Sequence, residues 1–364
     1  MQSYLNRNFT CSFSPGSGLP KRQSPRRHFG RVMSAGSSEG KRNSLSEQQL
    51  EETEDERLAK DQQAREQMKA LSEAATTVGS GPGSWKWPIR KRVWKLLEEK
   101  GVARDPKPID HRIPNFAGAD EAAQRLAALQ EFENAEVIKV NPDTPQKGVR
   151  MRVLGGGKTL VTPQPRLRTG FFSTLHRDRI ASAELPFACT SAGVREHGAP
   201  VSLQDDLRVG LVVVGSVAVN PANGCRIGKG EGFAELEYGI MRWMGAVDEH
   251  TLVVTTVHDL QLVDDIEEGQ MLEHDVPVDI VVTPTQVIRT GTLHQKPPGI
   301  LWEKLSPQKL AQIRILRELK ASIEAETGQK LPTGPDEVLP PIAKRGPRRR
   351  GGRRGRQSRG GRRA

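Results

Sequence analysis

The chain has 364 residues, 35% of them hydrophobic and 27% charged, with a formal net charge of +11. That length holds one large domain or two smaller ones, and the low apolar content leaves a good part outside any packed core. No apolar run approaches the ~20 residues of a membrane helix, so a soluble chain is expected; Cys11, Cys189 and Cys225 show no metal spacing and read as reduced thiols rather than a disulfide framework.

The positive charge is unevenly placed. Residues 344–364 hold eleven Lys or Arg and no acid, and residues 1–44 hold eight against the single Glu39. Removing those +11 and +7 from the total of +11 leaves residues 45–343 at −7. The excess is confined to two tails, and the part expected to fold is mildly acidic.

Residues 1–44 are rich in Ser, Arg and Gly and lack a long apolar core, the composition of an organellar transit peptide. Richness in Ser favours the chloroplast, with mitochondrion or cytoplasm as alternatives; an ordinary basic tail fits the same composition. Residues 45–77 predict an exposed helix laced with local charge pairs, a spacer more than a partner-binding element. Residues 78–84, VGSGPGS, form a linker. A helix follows from Trp85, with Pro88 at its start and Gly101 at its end. Its Lys86 and Arg90 stand four apart near the amino end, which by itself reads as a surface charge pair.

Residues 118–134 have helical spacing and 135–140 predict a strand, followed by the loop NPDTPQKG at 141–148. Residues 149–154 and 158–162 predict a hairpin joined by Gly155-Gly156-Gly157. GGGKT fails as a phosphate loop, because Arg152 stands where that pattern requires glycine. Arg166 and Arg168 alternate in PRLRTG, and suit either a polyanion contact or a solvated edge. Residues 171–209 predict irregular structure, without metal or triad spacing around His176, Cys189 or His197.

The stretch 210–238 organises the rest. Leu211 to Val214 is an uninterrupted apolar run, the pattern of a strand buried on both faces. After a turn cluster at 220–224 comes Arg226-Ile-Gly228-Lys229-Gly230-Glu231-Gly232, then a helix from about Phe233. Alternate glycines let backbone approach a ligand, and a helix start binds anions, so the stretch reads as a phosphate loop at a strand's carboxyl end. A plain flexible connection is the alternative. Strands at 251–257 and 278–283 complete an α/β alternation, predicting a three-layer, open, mostly parallel sheet with helices on both faces, flanked by disordered basic tails. The domain is placed at 85–290, and an amphipathic helix over 305–328 within 291–330 either packs on it or stands off. Residues 331–364 are a linker and an Arg/Gly-rich tail without aromatics, suited to weakly selective electrostatic RNA contact or to solubility alone.

RIGKGEGFAELEY, residues 226–238, resembles the RxGxGxGYYD loop of the 5-formyltetrahydrofolate cyclo-ligase (methenyltetrahydrofolate synthetase) family. With KVNPDTPQ, PRLRTG, Thr256 to Leu260 and EHDVPVD at 273–279, residues 85–289 resemble its divergent synthetase domain-containing branch. The resemblance implies ATP and Mg2+: the formyl oxygen of 5-formyltetrahydrofolate is phosphorylated, the ring closes, and phosphate leaves. It assigns Lys86, Arg90, Arg226, Lys229 and the amides of Gly228, Gly230 and Gly232 to ATP phosphates. Glu235 stands in place of the metal-binding aspartate, giving Arg226, Lys229 and Glu235 the catalytic roles. Asn141 aligns with the family's pterin-reading glutamate; with Thr144, Arg166 and Arg168 it is a candidate folate contact. Ala234 replaces a tyrosine. The resemblance therefore implies a nucleotide-binding protein of folate metabolism with weak, changed or lost cyclo-ligase activity. The alternative is an RNA-associated protein whose domain is a scaffold and whose residues 344–364 bind RNA.

Overall fold

The computed structural model describes residues 82–163 and 171–337, together with Gln62, Glu66 and Ala70. Those three are helical and exposed, and the Gln62 amide donates to Glu66 one turn on. The expected transit peptide, Arg166, Arg168 and the tail 344–364 lie outside the described residues.

Helix α1 (Lys86–Glu99) is followed by a ribbon of β1 (Ala103–Arg104) and β2 (Asn115–Phe116). Helices α2 (Ala119–Ala127) and α3 (Gln130–Asn134) lead into β3 (Val137–Val140), and α4 (Lys147–Gly155) carries the chain to β4 (Thr159–Pro163). Next come β5 (Phe172–Leu175), α5 (Leu185–Ala188), α6 (Ser191–His197) and β6 (Ala199–Val201). The centre of the fold is β7 (Leu211–Val214), the ribbon β8 (Ala218–Val219) with β9 (Arg226–Ile227), and helix α7 (Phe233–Trp243). Strands β10 (Leu252–Thr256), β11 (Ile280–Val282) and β12 (Val287–Arg289) precede helices α8 (Pro307–Gln312) and α9 (Arg314–Thr327).

Eight strands form one sheet in the order β12-β11-β10-β7-β3-β4-β5-β6. The five from β11 to β4 are parallel, and the outer three pair antiparallel. Alternation along β7 sends Leu211 and Val213 to one face and Val212 and Val214 to the other, all buried. The first face is covered by α2, α4 and α6 through Ala123, Leu126, Val149, Val153 and Val194. The second is covered by α7, α8 and α9 through Leu236, Ile240, Leu310, Leu316 and Leu319. This is the expected three-layer α/β sheet. Each such valine or leucine side chain contributes about 1.5–3 kcal/mol by leaving water.

Two local expectations are corrected. Residues 147–155 form a helix instead of the first strand of a hairpin. A parallel β3–β4 pair cannot be joined by a tight turn, so the chain crosses over as a helix whose Val149, Val153 and Leu154 bury against the sheet. Gly155, Gly156 and Gly157 close that helix, with Gly157 at φ +75°. Residues 171–209, expected to be irregular, supply the antiparallel edge β5–β6 and two short helices. The C-terminal amphipathic stretch packs on the sheet, broken into two helices at Ile313, with Leu316 and Leu319 fully buried.

Candidate functional site

The glycine-rich loop occupies the place between β9 and α7. Gly230 has φ +100° and Gly232 φ +74°, backbone that side-chain-bearing residues rarely adopt. A Cβ on Gly230 would stand 3.3 Å from the Trp87 ring and 3.4 Å from the Arg90 guanidinium. Gly232 is the N-cap of α7, and no side chain caps that helix. The first-turn amides of an eleven-residue helix, with their positive dipole end, therefore face the loop.

Helix α1 brings two of the expected cations. Its Ile89, Val93, Trp94 and Leu97 pack with Val217 and with Ala218 and Ile227 of the β8–β9 ribbon, which turns Lys86 and Arg90 inward. Lys86 and Arg90 are buried, at 7% and 6% exposure. The Lys86 ammonium donates to Asp275 at 2.5 Å. Burial pushes the Asp275 carboxyl up, but the charge and hydrogen bond of Lys86 bring it below its usual range. Arg90 Nε donates to the Gly228 carbonyl at 2.7 Å and its guanidinium lies 4.5 Å from the Trp87 ring centre. Burial pulls Arg90 down to about 10, against the opposing charges of Glu235 and Asp275.

Arg226 is held by the fold on three nitrogens. Nε donates to the Val276 carbonyl at 3.1 Å, Nη1 to the Gly215 carbonyl at 2.6 Å, and Nη2 pairs with Glu235. Glu235 thus enters the site clamped to a guanidinium. Lys229, one-third exposed, pairs with Glu231 at 2.9 Å and lies 3.8 Å from Asp143. That second contact joins the glycine-rich loop to the loop after β3.

In the β3 loop, Asn141 is only 7% exposed. Its Oδ1 accepts from the Lys139 ammonium at 2.5 Å, and Lys139 in turn donates to Glu237 of α7 at 2.7 Å. Both charged partners are buried, and burial raises the Glu237 carboxyl above its ordinary value despite Lys139. The Arg150 guanidinium, also buried, donates to the carbonyls of Asn141 and Asp143 and pins the loop from below. Thr144 is exposed at the start of a 3-10 turn. The Tyr238 hydroxyl donates to the Asp248 carbonyl at 3.2 Å, so it does not take the place of the tyrosine missing at Ala234.

The structure therefore gathers Lys86, Arg90, Arg226, Lys229, Glu235 and the three glycines at one place, at the carboxyl ends of the parallel strands. Asn141 reaches the same end of the sheet with its side chain turned into the core. Sequence reading missed Asp143 as a charged neighbour of Lys229, and Trp87 as the flat wall under Gly230. An acid at the head of a loop and a tryptophan on a helix carry no periodic signal, so only contact exposes them. Among the described residues, no group of three or more His, Cys, Asp or Glu could hold a metal by itself. Mg2+ suits such a site when phosphate oxygens supply most of its shell and one or two carboxylates complete it.

The family model for the 5-formyltetrahydrofolate cyclo-ligase family matches residues 82–284, more than half the chain. The chain belongs to the 5-formyltetrahydrofolate cyclo-ligase family. It is similar to methenyltetrahydrofolate synthase domain-containing protein of Bos taurus, 47% identical over 267 residues, 73% of this chain and 70% of that one. The Mus musculus protein of the same description is 50% identical over 239 residues, 65% of this chain and 64% of that one. The chain thus spans under two-thirds of the mouse relative's length. Among solved structures, an Aquifex aeolicus 5,10-methenyltetrahydrofolate synthetase is similar at TM-score 0.36 and 18% identity, covering 57% of this chain and 93% of that one. The cyclo-ligase family match ends before α8 and α9 begin.

Proposed function

We propose that this member of the cyclo-ligase family binds Mg-ATP at the glycine-rich loop and has a weakened or changed handling of 5-formyltetrahydrofolate. The observation that carries the nucleotide half is the convergence of Arg90, Lys229 and the uncapped first turn of α7 on Gly228, Gly230 and Gly232. Phosphoryl transfer needs a polyanion positioned and its charge neutralised, and a buried guanidinium with a helix start does both. Arg90 uses only Nε within the protein among the described residues, leaving its Nη groups to receive phosphate oxygens. Arg226 has a different part, because its nitrogens are engaged by two carbonyls and Glu235: it holds the loop and aims the carboxylate. Glu235, with Asp143 or Glu231, would hold Mg2+ arriving on the phosphates, and the ion would neutralise charge developing there.

The folate half rests on Asn141. A pterin ring presents paired donors that a carboxylate accepts well and a neutral amide less well. Here the amide oxygen is already taken by Lys139, whose charge is matched by Glu237. The expected RNA contact of residues 344–364 lies outside the described residues, so the geometry adds no observation to it.

Thermal unfolding of the full chain tests the reading. Mg-ATP at a hundred times its dissociation constant stabilises the native state by about 2.7 kcal/mol. The expected result is a rise in melting temperature with Mg-ATP and little further rise with 5-formyltetrahydrofolate. A missing Mg-ATP shift would overturn the nucleotide half, and a large added folate shift with turnover would overturn the folate half.

A further inference from the structure

Helices α8 and α9 lie beyond the family-matched residues 82–284, yet they share a core with the helix that starts at the glycine-rich loop. Leu305 and Leu310 are 7% exposed, and Leu316 and Leu319 fully buried, in the same cluster as Leu236 and Ile240 of α7. Ser306 caps α8, its Oγ accepting from the Lys309 amide at 3.0 Å and donating to Glu337 at 3.0 Å. This fixes where Lys309 departs from the backbone. Its ammonium lies 3.7 Å from where a Cβ of residue 232 would stand, at the amino end of α7.

With respect to the α7 dipole, that position is unfavourable for a cation. The start of a helix is its positive end, and a cation there is repelled. Lys86, Arg226 and Lys229 each have a carboxylate partner, and Arg90 has a carbonyl. Lys309 has no ion-pair or hydrogen-bond partner for its ammonium among the described residues, and it is held in place by the apolar packing of its neighbours. An anion lying between Lys309 and the first-turn amides of α7 reverses the sign of this arrangement, because both then attract it.

We propose that Lys309, delivered by the C-terminal helices outside the family-matched region, is a further binding residue for the phosphate chain of the nucleotide. This rests on the Mg-ATP reading of the glycine-rich loop. The two C-terminal helices thereby become part of the site, and removing them dismantles it as well as the core. A lysine contributes here as a point charge on a long stem, able to follow the phosphate as the nucleotide changes.

The test is calorimetric titration of the full chain with Mg-ATP at fixed salt, for wild type, K309A, K309R and K330A. Lys330 is an exposed lysine of the same C-terminal segment and controls for the loss of one charge. Loss of one charged phosphate contact weakens binding about tenfold in K309A. K309R is expected within about threefold of wild type, and K330A unchanged. The melting temperature of K309A without nucleotide is expected to stay level or rise, since a repulsion is removed; a purely structural lysine would lower it and leave affinity alone. Wild-type binding with K309A equally tight would overturn the role of Lys309 only. No binding by wild type would overturn the nucleotide reading and, with it, the assignment of Lys309.

Discussion

The loops that follow β9 and β3 sit at the same end of one sheet and have been built to opposite effect. In the first, the backbone is opened by Gly230 and Gly232 at positive φ, and Arg90 and Lys229 converge on it. In the second, the polar side chain at the head of the loop faces inward, and Asn141, Lys139 and Glu237 satisfy one another at the carboxyl end of the interior strand β3. A cation that meets a backbone loop remains available to a ligand, whereas an amide used to solvate a buried ammonium has become part of the core. The order of the strands places both loops, and their hydrogen-bond partners separate an open loop from a filled one.

The largest effect is expected from breaking the support. Lys139→Met leaves Glu237 buried without its partner, and losing one member of such a pair costs about 3–5 kcal/mol. Urea unfolding measures it; replacing both residues with apolar side chains should recover most of the loss. A single substitution that costs nothing would show that Glu237 is reached by water, and the contrast between the loops would dissolve.

A middle-sized effect is expected on the open side. Gly230→Ala forces a side chain into φ +100°, with its Cβ 3.3 Å from Trp87. The strain is about 1–3 kcal/mol. The distinguishing outcome is a loss of Mg-ATP affinity out of proportion to the fall in melting temperature, since the same Cβ fills the space above Arg90. Equal losses in both would make this glycine a folding residue alone.

The smallest effect is a pH dependence at the end of β10. Burial holds His258 below its ordinary value of 6.5, opposed by Asp259. Its Nδ1 accepts the Leu260 amide at 3.0 Å, which the protonated ring cannot do. The folded state therefore binds the proton less readily than the unfolded chain does. The stability is fully present above pH 6.5 and falls as pH drops through the lower folded value. His258→Asn keeps an acceptor at this cap without a titrating group, so the slope of melting temperature between about pH 7 and 5 should flatten. An unchanged slope would assign it to other groups, His274 among them, which burial also lowers.

The sequence by itself determined the alternation of elements, the central strand Leu211 to Val214, the glycine-rich loop and the helix from Phe233. Each rests on a local pattern: an apolar run, a set of glycines, a helical period. Arg226 and Lys229 were legible in the glycine-rich loop itself, whereas Lys86 and Arg90 read locally as a surface charge pair and joined the site only through the family resemblance. The tertiary structure decided the rest. Residues 147–155 became a helix because a parallel pair of strands demands a crossover, against the strand preference of Val149 and Val153. Asn141 turned inward because Glu237, 96 positions away in the chain, brought a charge that Lys139 had to meet. Lys309 reached Gly232 only because Leu310, Leu316 and Leu319 found the same core as Leu236. Partners distant in sequence leave no local period to read, and burial and charge pairing select them only once the chain has closed on itself.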